Sequence, residues 1–247
     1  MNRSFVILIF MWAACLSVPL FGQEQKQPKD SVRAQWAIVP RLNSAGHFPY
    51  SGALINRDVN FDVNVFFERN HYGFFVFESR DLEDSRSIVN YLQPGIFRRF
   101  NFSRQFYMRL FFGYVFSQTS GFRDPDSDYY TAAVGYWTIA DNLKLEYTAL
   151  FLDLTQSCKL ANRMVMSWAV KDFRVDLYVW HRIVLEEGIH ATSASLAVNF
   201  PRIRLSNSVS IQNTVSYQGY ITGTKPAFAR RDGFLFSVAF PIEMRGL

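Results

Sequence analysis

Polar and apolar residues alternate along most of this chain. Within residues 60–69, Phe61, Val63, Val65 and Phe67 fall on one side of an extended backbone. Asn60, Asp62, Asn64 and Glu68 fall on the other, with Phe66 the exception. A period of two gives a strand one apolar face and one wet face. Residues 203–216 repeat it: Ile203, Leu205, Val209, Ile211 and Val215 oppose Arg204, Ser206, Ser208, Ser210, Gln212, Thr214 and Ser216. Residues 173–183 set Phe173, Val175, Leu177 and Val179 against Arg174, Asp176 and Arg182, and residues 143–151 set Leu143, Leu145, Tyr147 and Phe151 against Lys144, Glu146 and Thr148. Residues 106–116 carry large apolar side chains at every second position. Several of these segments exceed nine residues, the length a tilted strand needs to cross a bilayer, whereas globular strands average five or six.

The links between segments follow a rule of their own. Short ones fall near Asn70-His71, Asn101 to Arg104, Ala140 to Asn142, Lys171-Asp172 and Pro201-Arg202. Longer polar ones occupy residues 81–87, 120–128, 155–162, 185–191 and 219–232. Short and long alternate strictly, as they do where one end of a membrane barrel carries turns and the other carries loops. Ten strands lie between residues 60 and 218, and one more covers about 233–242. Orientation requires a further strand before Asn60, for which residues 50–56 serve. The expectation is an all-β, closed, antiparallel up-and-down transmembrane β-barrel of about twelve strands, or ten without the end segments. In hydrocarbon an unpaired backbone amide costs several kcal/mol, so such a strand set must close. Tyr72, Tyr129, Tyr136, Trp137 and Trp180 lie at strand ends, where aromatic residues meet a membrane interface.

The N-terminus has a different pattern. Arg3 precedes an apolar run over residues 5–14 that persists to Phe21, with Pro19 breaking it late and a polar stretch following Gly22. This is the order of a signal peptide, residues 1–22. The run approaches membrane-spanning length, so an uncleaved anchor is the alternative. Residues 23–45 read as a polar periplasmic lead-in and residues 46–247 as the barrel. No second apolar run is long enough for a membrane helix.

Composition adds two points. Aromatic residues make up 17% of the chain, with 25 Phe and 12 Tyr, most of them in the alternating segments. The formal charge of +5 comes without a Lys/Arg block, so no nucleic-acid partner is expected. Once the signal region with Cys15 is set aside, Cys158 is the single cysteine and cannot form an internal disulfide.

On this pattern, residues 46–247 resemble bacterial outer-membrane β-barrels as a class. The alternation of Phe234, Phe236, Val238, Phe240 and Ile242 supplies a last strand of the kind these proteins carry. The resemblance implies an outer-membrane location, lipid as a partner, and a small solute if the interior is open. The inward polar set is Asp62, Glu68, Arg109, Lys144, Glu146, Arg174, Asp176 and Arg204. It lines a narrow channel or, if its charges pair and fill the interior, stiffens a closed scaffold.

Two other functions have some support in the residues. Barrel lipid hydrolases place a His two residues before a Ser; here His190 precedes Thr192 at that spacing, with Ser193 one position further. A soluble exported β-barrel binding an apolar ligand would turn its apolar faces inward. Asp124, Asp126 and Asp128 alternate as at the start of a Ca²⁺ loop, but Tyr129 and Gly135 stand where that loop needs Gly and Glu. No cofactor motif is present, and the primary reading is non-enzymatic.

Overall fold

In the computed structural model the described residues are 34–48, 53–54, 58–83, 90–117, 127–156, 158–184, 189–223 and 232–245. The expected signal peptide, residues 1–22, lies outside them. Twelve strands among the described residues run up and down in chain order: β1 Gln35–Asn43, β2 Asn60–Arg69, β3 Tyr72–Asp81, β4 Tyr91–Asn101, β5 Phe106–Ser117, β6 Asp128–Ala140, β7 Leu143–Leu152, β8 Lys159–Val170, β9 Phe173–Val184, β10 Ile189–Asn199, β11 Ser210–Gly223, and β12 Gly233–Ala239 continued by Ile242–Arg245. Each pairs antiparallel with the next. β12 returns to β1 in one register, Asn43 opposite Ser237 and Gln35 opposite Arg245, so the sheet has no free edge.

The strand before Asn60 is therefore Gln35–Asn43, inside the expected lead-in, and not residues 50–56. Part of that later segment, Ala53–Leu54, instead pairs with His47–Phe48 in a short ladder, and Leu54 packs against Ala45 and Leu235. β1 hides from a period-two search because Ala37 and Val39 make its second face apolar too, and because Pro40 interrupts it. Another turn also moves. Ile203 and Arg204 pair back onto Ile211 and Ser210, so the hairpin closes at Leu205–Ser208 and not at Pro201-Arg202. Ser206 Oγ accepts from the amides of Ser208 and Val209 there, giving the backbone a turn that the alternating pattern does not reveal.

The tight turns are as expected elsewhere. Asn70 and His71 both have positive φ (53° and 67°), which matches the right-handed twist of the strands they join. One ladder lapses inside the wall. Pro94 lacks an N–H, and the β4–β5 pairing skips from Leu92–Phe116 to Gly95–Gly113. The Tyr130 hydroxyl donates to Pro94 O (3.3 Å) across that gap. A Cβ on Gly113 would stand 2.2 Å from Pro94 O and 2.5 Å from the Tyr130 hydroxyl, so glycine is what lets the ring cross β5.

The outward face is apolar over a broad band. Leu42, Ile96, Phe112, Met166, Trp168, Leu196, Phe234 and Phe236 are exposed, with Ile96 and Phe234 at 63%. Monomeric soluble proteins do not expose a continuous band of this kind, whereas a bilayer requires one. A soluble barrel with apolar faces turned inward is thereby excluded. Tyr72 and Tyr129 are outward at opposite ends, and Arg98 lies over the rings of Tyr72 and Phe100 (5.3 and 4.9 Å). Trp180 departs from the interface expectation: it is 3% exposed and packs in an inward cluster with Tyr130, Ala132, Val134, Leu150 and Ala161, against which Tyr136 also packs. On β9 it shares a side with Asp176, which strand parity alone predicts.

Candidate functional site: the barrel lumen

One cavity of about 710 Å³ lies inside the barrel, and residues from all twelve strands line it. Its wall has two halves. From β3 to β9 it carries an aromatic and aliphatic cluster of Phe75, Phe111, Tyr130, Val134, Leu150 and Trp180, interrupted by the charged Arg109, Glu146, Arg163, Arg174 and Asp176. From β10 round to β2 it is built of hydroxyls and amides, including Ser195, Asn199, Thr214, Ser216, Gln218 and Ser237. On β10 the inward side chains Ser193, Ser195 and Ala197 are short.

The polar half is cross-linked. Ser237 Oγ donates to Asn43 Oδ1 (2.6 Å), and Asn43 Nδ2 donates to Asp62 Oδ2 (2.8 Å) and Asn60 Oδ1 (3.2 Å). Asn60 Nδ2 passes the chain on to Ser79 Oγ (3.1 Å) and the Arg80 carbonyl (2.8 Å). This network crosses the β12–β1 closure, and Asn43, Asn60, Asp62, Ser79 and Ser237 are all buried, where low dielectric strengthens each bond.

Five arginines line the cavity, and each has a carboxylate. Arg41 Nε lies 3.8 Å from Asp62, Arg109 Nη2 2.5 Å from Glu68, and Arg163 Nη2 2.5 Å from Glu146. Arg174 Nε is 3.1 Å from Asp176, and Arg202 Nη1 is 2.8 Å from Glu243. The five charges of each sign cancel. Arg99, at the short-turn end, adds a second guanidinium to Glu68 (3.4 Å). Arg109 is also framed by the rings of Phe66, Phe97, Tyr107 and Tyr136 at 4.8 to 5.4 Å. Aromatic faces attract a cation most when water is excluded, so this arginine is held on five sides.

Of the inward polar set read from the sequence, Asp62, Glu68, Arg109, Glu146, Arg174 and Asp176 lie in or against this cavity. Lys144 shares their strand parity but is exposed near the short-turn end. Arg204 stands in the exposed hairpin at residues 203–210, because the turn there is displaced from its expected place. Sequence reading missed Arg41, inside the expected lead-in, and Arg163, beside a segment read as a loop. The parity of Val165 and Ser167 on β8 would have found the second.

The hydrolase set is divided between two faces. Ser193 is buried on the lumen side, and His190 is exposed on the outer side. Thr192 is bonded to His181 Nδ1 (2.8 Å). Asp128 is buried, and its carboxylate accepts from Thr155 N (2.8 Å), Thr155 Oγ1 (2.7 Å) and Gln156 N (3.2 Å), so it caps the loop after β7. Asp124 and Asp126 lie outside the described residues. No group of three metal-ligating side chains occurs among the described residues.

A closed twelve-stranded antiparallel sheet, apolar outside and polar inside, defines a porin-like transmembrane β-barrel. No family model and no curated protein matches the chain. Solved structures do. The KdgM porin superposes with a TM-score of 0.57 at 9% identity, over 84% of this chain and 99% of that one. The NanC porin gives 0.58 at 9% identity, over 84% and 100%. The KdgM porin in complex with disordered oligogalacturonate gives 0.55 at 8% identity, over 85% and 99%. At such identities the likeness is one of fold: this chain has the architecture of bacterial outer-membrane porins.

Proposed function

We propose that this protein is a narrow channel of the bacterial outer membrane that passes or holds small polar solutes. The observation that carries this reading is the lumen cavity of about 710 Å³, to which all twelve strands contribute. Eight-stranded barrels are filled by their own side chains and sixteen-stranded ones leave an aqueous channel, so twelve strands fall between the two. The outward apolar band and the fold shared with porins support the location. Oligogalacturonate is named for the KdgM complex and is that protein's solute.

Planar-bilayer recording of the purified full chain tests the channel. Discrete conductance steps are expected. Their absence at either polarity, in protein that still runs as a heat-modifiable folded band, would leave the closed scaffold instead. Resistance of the membrane-bound protein to alkaline carbonate extraction tests the location.

A further inference from the structure

We propose that the lumen contains a subsite for an uncharged, polyhydroxylated solute, bounded by Trp180, Thr148 and Gln218, which discriminates against carboxylated ones. This rests on the channel reading for its access route, but its chemistry stands on the lumen side chains alone.

The first observation is a set of polar atoms with nothing bonded to them. Trp180 Nε1, Thr148 Oγ1, Gln218 Oε1 and Asp176 Oδ1 have no hydrogen-bond partner among the described residues. Their residues are 3%, 4%, 5% and 1% exposed, and all four line the same cavity. Buried polar atoms in folded proteins are nearly always paired, so a group of four facing one space marks where something else supplies the bonds. Thr148 and Trp180 both lie directly opposite Arg163 in the sheet register, one on each side of it. Gln218 lies opposite Ser195, which lies opposite Tyr178 on the strand of Trp180.

The second observation is the kind of partner these atoms need. An indole N–H donates only, a carboxylate oxygen and an amide oxygen accept only, and a hydroxyl does both. A solute must therefore offer donors and acceptors together, which is what a row of hydroxyls does. A carboxylate offers acceptors alone and is unmatched at Gln218 and Asp176. The five lumen arginines are each engaged by a carboxylate, and the further N–H on Arg109, at Nε, unbonded among the described residues, belongs to a guanidinium already framed by four rings. The adjoining wall of Val134, Leu150 and the Trp180 ring gives the C–H face of such a solute an apolar surface.

The test is calorimetric titration of the full-length protein in detergent with maltotriose and, at matched ionic strength, with trigalacturonate. Maltotriose is expected to bind at least tenfold more tightly. Trp180→Phe keeps a ring in the cluster and removes the N–H, and is expected to weaken maltotriose about five- to tenfold. Thr148→Val serves if Trp180→Phe does not give a heat-modifiable folded band. Equal or tighter binding of trigalacturonate, unchanged affinity in the variant, or no binding of either sugar (water alone filling the site) would each overturn the proposal. A conductance measurement separates the two readings. Conducting protein that binds no sugar keeps the channel and loses the subsite, whereas sugar binding without conductance keeps the subsite and loses the channel.

Discussion

The β3–β9 wall of the lumen and the wall from β10 round to β2 face the same cavity but are held together by different means. The first is packed: Phe75 and Phe111 meet edge to face (5.4 Å), and Tyr130 threads over Gly113 to reach Pro94. The second is bonded: Ser237, Asn43 and Asn60 form a line of side-chain hydrogen bonds that runs on to Ser79 at the edge of the first. Packing tolerates the loss of a single polar contact because shape supplies most of the fit. A bonded line does not, since removing one member strands its neighbours in a low-dielectric interior. The contrast teaches that the lumen's rigidity is distributed unevenly, and it can be probed on both sides.

The largest effect is expected where the two principles meet. Arg109→Ala removes four ring contacts and leaves Glu68, 7% exposed, with Arg99 alone. Loss of one partner of a buried pair costs about 3–5 kcal/mol. Urea unfolding of the refolded barrel in micelles measures it, and a loss under 1 kcal/mol would mean that the pair is effectively solvated. On the bonded wall, Asn43→Ala strands Ser237, Asn60 and Asp62 and should cost about 2 kcal/mol by the same assay. On the packed wall, Tyr130→Phe keeps the ring, removes the hydroxyl that donates to Pro94 O and should cost about 1 kcal/mol or less. If Tyr130→Phe proves the more damaging of these last two, the contrast between the walls is wrong.

Much of this was readable beforehand, and the gaps have physical causes. Strands from Asn60 onward declare themselves because lipid on one side and water on the other impose opposite chemistry on alternate residues. β1 escapes because its inward positions Ala37 and Val39 are apolar, so its period is weak. The hairpin at Leu205–Ser208 escapes because alternation continues through a turn whose stop signal is a single serine hydroxyl. Residue type alone puts Trp180 at the interface, whereas its parity with Asp176 puts it inside. Which arginine meets which carboxylate was not readable at all. Arg109 and Glu68 are 41 positions apart and two strands separate them, and no local pattern encodes that distance.

The closure of the barrel has a consequence for assembly. Asn43 and Ser237, which meet at 2.6 Å, are separated by 194 positions along the chain. Until those two segments find each other, β1 and β12 each present a row of unsatisfied amides and carbonyls. Bringing them together carries the largest loop-closure entropy of any strand pair in the molecule, and contacts so distant in sequence form slowly. The hydroxyl of Ser237 bridges the seam that joins the two ends of the sheet, and a chain with that seam open offers two free edges to its own copies.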